Sequence, residues 1–159
     1  PLSLSTKVAD CYDWMNDRIP SLFLDAVQRL DQDENYCLET QSLNPQDALR
    51  CYPRCPDDAQ IKWEQSAETI IRLINASGHP FQGAFAYYKE VKFIVHDADI
   101  FVDSENYLAI PGQISLVSKD DGGVVVITGE GKLKITLIEV DGRRIRPTEF
   151  ITGIRNRLK

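Results

Sequence analysis

Past Pro80 the spacing of apolar residues changes from three and four to two, and that change decides what this chain can fold into. Ala67, Ile70, Ile71 and Ile74 recur at i, i+3, i+4 and i+7, which lines one face of a helix. Gln65 or Ser66 can cap its start, and Gly78 with Pro80 stops it. Further on, Val91, Phe93 and Val95 alternate with Lys92, Ile94 and His96, and Leu133, Ile135 and Leu137 alternate with Lys132, Lys134 and Thr136. Strict alternation is the mark of a half-buried strand. The later switch to Ile138 and Val140 implies a bulge or a twist. Asp121-Gly122-Gly123, Gly129-Glu130-Gly131 and Asp141-Gly142 read as hairpin turns between such runs.

About five short antiparallel strands must hide their edges, and closure into a small barrel does so. Pro147 to Leu158 reads as a last helix, with Phe150, Ile151 and Ile154 on one face. Upstream, Ser5 or Thr6 can cap a helix carrying Val8, Cys11, Tyr12 and Met15. Leu22, Phe23, Ala26, Val27 and Leu30 continue its period beyond Pro20, where proline predicts a kink or a restart near Ile19. A short strand is expected over Tyr36 to Gln41. From Ser42 to Asp58 the X-Pro pairs predict extended chain and turns. The predicted class is α+β: N-terminal helices and a linker, then a small OB-like antiparallel β-barrel with a C-terminal helix.

At 159 residues and 43% hydrophobic, the chain can bury one good core or two small ones. Its apolar runs are too short to span a bilayer, and no membrane partner is expected. No basic segment leading into an apolar one marks a signal peptide, and Pro1 as first residue suits a piece of a longer protein. Cys51 and Cys55 stand too far apart for a typical zinc pair, with only His79 and His96 in the whole chain. Reduced thiols in a cytoplasmic protein are the expectation for all four cysteines, and no metal is expected. The net charge of −6 is carried by residues 1–75, while the remainder is balanced. A broad phosphate-binding face is therefore not expected, although Arg143, Arg144, Arg146, Arg155, Arg157 and Lys159 gather near the C-terminus.

Three motifs occur in a telling order. Arg54-x-Pro56-Asp57-Asp58-x-x-Ile61-x-Trp63 leads into the helix. Ile71-Arg72-x-x-x-Asn75 is followed by Pro80-Phe81-x-Gly83-Ala84-Phe85. Pro111-Gly112 and Gly131-x-Leu133-x-Ile135 come after. Together they resemble the C-terminal region of 10-formyltetrahydrofolate-dependent formyltransferases, the family that includes methionyl-tRNA formyltransferases and sugar N-formyltransferases. The resemblance implies that residues 1–58 are the last helical part of a catalytic domain plus a linker. Residues 59–79 would be an interdomain helix, and 80–159 the OB-like C-terminal domain.

It further implies transfer of a formyl group to an amine by an Asn, a His and an Asp that lie upstream of this region. His79 and His96 sit in the wrong contexts to replace that histidine, so no catalytic residue is expected here, and the chain alone is predicted inactive. The folate would be bound by the catalytic domain, which is the expected partner; a homodimer is left open. The segment around Tyr52-Pro53-Arg54 looks closer to enzymes acting on amino sugars of nucleotide-sugars than to those acting on tRNA. Arg54 is the first candidate for acceptor binding, since a guanidinium holds phosphate bidentately; Tyr52, Asp57 and Asp58 flank it. Each has an ordinary alternative: Arg54 in a local ion pair, Tyr52 packed beneath the linker, Asp57 and Asp58 in a solvated turn. Trp63 reads as an interdomain anchor whose indole N–H finds an acceptor. Two alternative readings stand beside the sugar enzyme: a tRNA-binding domain and a non-catalytic interaction protein of the same fold.

Overall fold

A computed structural model describes residues 2–33, 35–36 and 40–159. They form two compact units, Asp10–Cys55 and Pro56–Lys159, the latter joined by the residues up to Ala9. The expected strand over Tyr36 to Gln41 falls largely on residues 37–39, outside those described.

The first unit is dominated by helix α1, which runs unbroken over Val8–Gln32 with Pro20 inside it. Of the expected kink or restart, a restart does not occur. Proline removes one N–H and frees one carbonyl, and on a helix with no buried residue that carbonyl stays hydrated. The Ser21 hydroxyl also donates to the Arg18 carbonyl at 2.9 Å, just beside the interruption. The linker that follows carries a one-turn 3-10 helix at Pro45–Asp47, started by Asn44, whose side-chain oxygen accepts from the Gln46 N–H.

In the second unit a 3-10 turn at Pro56–Ala59 leads to α2, Ala67–Ser77. Of the two expected caps the structure uses Ser66, whose hydroxyl accepts from the Thr69 N–H at 3.2 Å. Replacing Ser66 with alanine is expected to cost about 1 kcal/mol, read from the urea midpoint at unchanged slope. The apolar face of α2, Ile70, Ile71 and Ile74, is buried against the sheet.

Six antiparallel strands make that sheet: β1 Ala84–Tyr88, β2 Val91–Phe101, β3 Ile114–Val117, β4 Val124–Ile127, β5 Lys132–Val140 and β6 Arg143–Ile145. Their order is β1-β2-β5-β4-β3, with β6 also pairing β5. The predicted bulge is present and double. His96 is extra on β2, and one residue later Thr136 is extra on β5. These two slips move the buried set of β5 from Leu133 and Ile135 to Ile138. The Asp141-Gly142 turn has positive φ at both residues, as a two-residue hairpin requires. Lys89-Glu90, between β1 and β2, does the same without a glycine, which is why the sequence did not announce it.

Two expectations need correction. The sheet is not a closed barrel, because its edge strands β1 and β3 do not pair with each other. The last helix is also shorter than expected: α3 covers only Pro147–Phe150. Beyond it residues 154–155 form a turn and 156 a bend, and only the last residues bond to the two sheet edges. Tyr87 and Lys159 exchange both N–H···O bonds, and the Leu158 N–H donates to the Gly112 carbonyl. Of the expected apolar face Ile151 is buried and Phe150 half-buried, but Ile154 is exposed.

Candidate functional site

The segment from Tyr52 to Asp58 divides between the two units. In the first, the Tyr52 ring is three-quarters exposed, and the Arg50 guanidinium stands 5.1 Å from its centre. Tyr52 is thus not packed beneath the linker. Arg54 is exposed two residues on. In the second unit Asp57 and Asp58 occupy the exposed first turn of the 3-10 helix, whose Asp57 carbonyl accepts from the Gln60 N–H.

Trp63 follows the linker and is buried within the core of the second unit, among Ile61, Ala67 and Ile70. Its Nε1 has no hydrogen-bond partner, contrary to expectation. The anchoring is through the ring alone. The apolar residues of α1 behave oppositely: Met15, Leu22, Phe23 and Val27 are all exposed, Phe23 by 67%. Val8 is half-buried.

Two polar clusters on the sheet were not legible in advance. Lys132 alternates with Leu133 and so reads as solvent-facing, yet it is 2% exposed. Its Nζ lies 2.7 Å from both Asp103 Oδ2 and Glu105 Oε2, and the Tyr107 ring covers it at 4.5 Å. The acidic Asp103-Ser104-Glu105 loop is the only local hint of this arrangement in the sequence. Elsewhere His96 Nε2 meets Glu139 Oε2 at 2.8 Å, with Arg144 Nε 3.8 Å from the same oxygen. His96 is half-buried and hydrogen-bonded to Glu139.

The electrostatics of these groups set a pH window. The hydrogen bond from Lys132 holds the Asp103 carboxyl below its usual range, and the bonds to Asp103 and Glu105 raise Lys132 above its own. Asp121 is lowered further, by Lys134 first and then by the Gly123 N–H and the Ser118 hydroxyl. A lowered carboxyl stabilises the fold above its unfolded value and loses that contribution as pH falls through the folded one. A raised lysine contributes fully below its unfolded value and loses it as pH rises through the folded one. Urea midpoints are therefore expected to be level between about pH 5 and pH 10 and to fall on both sides. Asp103→Asn should flatten both limbs, whereas Asp121→Asn should flatten the acid limb only.

Among the described residues no group of three or more His, Cys, Asp or Glu is placed to hold a metal ion. No described helix is long and apolar enough to cross a membrane.

Comparison with known proteins places this geometry. Crystal structures of HypX from Aquifex aeolicus match it closely in fold. A multiply substituted variant has a TM-score of 0.64 and 18% identity, covering 98% of this chain and 27% of its own. Another, in complex with tetrahydrofolic acid, has a TM-score of 0.61 and 16% identity, covering 94% of this chain and 25% of its own. At such identities the likeness is one of fold, and this chain spans about a quarter of the HypX length. The family described as "Formyl transferase, C-terminal domain" matches residues 55–155, which takes in the second 3-10 turn, α2, the whole sheet and α3. The chain belongs to the formyl transferase C-terminal domain family.

Proposed function

We propose that this chain is the C-terminal part of an enzyme that moves a formyl group from 10-formyltetrahydrofolate to an amine, the acceptor being an amino sugar of a nucleotide-sugar. The family match over residues 55–155 carries the reading, and the tetrahydrofolic acid bound by a HypX structure of the same fold supports the choice of donor. The reaction is acyl transfer: a neutral amine attacks the formyl carbon, donors stabilise the oxyanion, and a base takes the amine proton. Collapse then breaks the bond from the formyl carbon to the folate N10, which leaves protonated as tetrahydrofolate. The groups that do this, and those that hold the folate, are assigned to a domain preceding this region in a cytoplasmic protein. This chain alone transfers nothing.

What falls to the present residues is the acceptor. Arg54 clamps a phosphate oxygen pair, Tyr52 offers an exposed ring to the base or sugar, and Asp57 and Asp58 accept from sugar hydroxyls or the amine. The apolar side chains exposed on α1, Met15, Leu22, Phe23 and Val27 among them, are the surface that the preceding domain covers.

The test uses the protein with its preceding sequence, assayed on a panel of amino nucleotide-sugars and on aminoacyl-tRNA. Formylation of a nucleotide-sugar is expected, with Arg54→Ala raising the acceptor KM about tenfold, or about 1.4 kcal/mol, and leaving the folate KM unchanged. Formylation of aminoacyl-tRNA alone would overturn the sugar assignment. It would favour the second reading, supported by the exposure of Arg143, Arg144, Arg146, Arg155 and Arg157. Binding through those arginines would weaken steeply with salt. Absence of transfer to any amine would leave the non-catalytic interaction protein.

A further inference from the structure

The linker holds a second arginine, two residues before Tyr52, to which acceptor binding as described gives no part. The unit Asp10–Cys55 is rich in Asp and Glu, and its cations are Arg18, Arg29, Arg50 and Arg54. Arg18 lies over the Trp14 ring on α1, and Arg29 bonds both Asp25 and the Tyr36 hydroxyl. Arg50 is exposed on the linker, with its guanidinium 5.1 Å from the centre of the Tyr52 ring. Among the described residues it forms no ion pair. No Asp or Glu occurs between Asp47 and Asp57, so Arg50 and Arg54 make a short basic island in an acidic stretch.

The local chemistry fits a nucleotide with more than one phosphate. A contact with a ring face engages the charge of a guanidinium and leaves its N–H donors for a phosphate, which they bind bidentately. The Tyr52 ring itself remains three-quarters exposed, as a surface on which a base can stack. Four residues of chain keep the Arg50 and Arg54 Cα atoms within about 14 Å of each other, so both long side chains can reach one small ligand. The backbone between them is stiff. Pro53 and Pro56 fix their own φ and restrict Tyr52 and Cys55 to extended conformations. A run restricted in this way gives up little entropy on binding.

We propose that Arg50 is a second phosphate ligand for the acceptor, so that Arg50 and Arg54 together hold a nucleoside diphosphate whose base stacks on Tyr52. This rests on the acceptor reading above and narrows it to sugars linked through a diphosphate. A monophosphate can engage one guanidinium at a time, whereas a diphosphate engages both. Arg50 therefore sets the preference between the two.

The test is calorimetric titration of the protein with its preceding sequence, using matched pairs of nucleoside mono- and diphosphates: UMP and UDP, dTMP and dTDP, AMP and ADP, GMP and GDP. For the base that binds, the diphosphate is expected to bind about tenfold more tightly than the monophosphate. Arg50→Met should weaken the diphosphate about tenfold and the monophosphate less than twofold, and Arg50→Lys should recover part of the loss. The exposure of Arg50 lets both variants fold. An unchanged diphosphate affinity in Arg50→Met would overturn the proposal. Equal weakening of both nucleotides would overturn it too, since Arg50 would then act only by positioning the Tyr52 ring. Activity separates this failure from that of the acceptor reading. If a nucleotide-sugar is formylated and Arg50→Met leaves its KM unchanged, the role of Arg50 alone is lost. If only aminoacyl-tRNA is formylated and no nucleotide of the panel binds, both fall together.

Discussion

Trp63→Ala is expected to destabilise the second unit by about 3–5 kcal/mol, and Trp63→Phe by less than about 1.5 kcal/mol. The ring is 3% exposed and packs at the start of α2 with Ile61, Ala67 and Ile70. Truncation removes the whole aromatic contact and leaves a cavity in the core. Phenylalanine keeps most of the ring. It also deletes a buried N–H that has no partner, and an unsatisfied donor is a cost rather than a gain. Urea unfolding separates the two variants, because both read midpoints at a common slope. Equal losses for alanine and phenylalanine would mean that the indole nitrogen, not the ring, does the anchoring.

Gly129→Ala is the second large effect, and its origin is backbone rather than side chain. A Cβ at residue 129 would lie 1.8 Å from the Glu64 carbonyl oxygen and 3.2 Å from that of Gln65. Gly129 stands so close because its N–H is shared between the carbonyls of Trp63 and Gln65, at 2.8 and 2.9 Å. The Ala67 N–H in turn donates to Glu130, so the turn between β4 and β5 is stitched to the start of α2. Making room means breaking that stitch, at about 3 kcal/mol. For a unit of this size, thermal unfolding should move down by roughly 12 °C or more. Gly142→Ala is the informative contrast: nothing lies within 4 Å of its Cβ position, so only the cost of its positive φ should appear, about 1 kcal/mol.

The elements that were legible in the sequence are those whose reason is local. The α2 face, the glycine turns and the switch of period within β5 follow from residue spacing alone. The family followed from motif order between Arg54 and Ile135. What escaped were features decided by distant partners. Lys132 falls on the solvent side of an alternating strand, and only the Asp103–Tyr107 loop folding over it makes burial tolerable. Residues 151–158 have the apolar spacing of a helix, but the backbone groups of Leu158 and Lys159 bond to distant sheet edges instead. Lys89 and Glu90 adopt a glycine-like conformation because the β1 and β2 registers leave a two-residue gap. At the linker, sequence and structure agree on turns and exposure, and the role of Arg54 rests on the proposed chemistry.

The pairing pattern of β5 also bears on how fast the second unit can form. One side of β5 meets β2 along most of its length, while the other is divided between β4 and β6. The β4 and β6 pairings are hairpins, closed by short turns in microseconds. The β2 pairing joins Val95 to Ile138 across the intervening loop and two strands, and chain entropy must be surrendered before any of its contacts are gained. Assembly of this unit therefore waits on long-range encounters. That places its folding with the slower, non-local sheet proteins rather than with the helical ones.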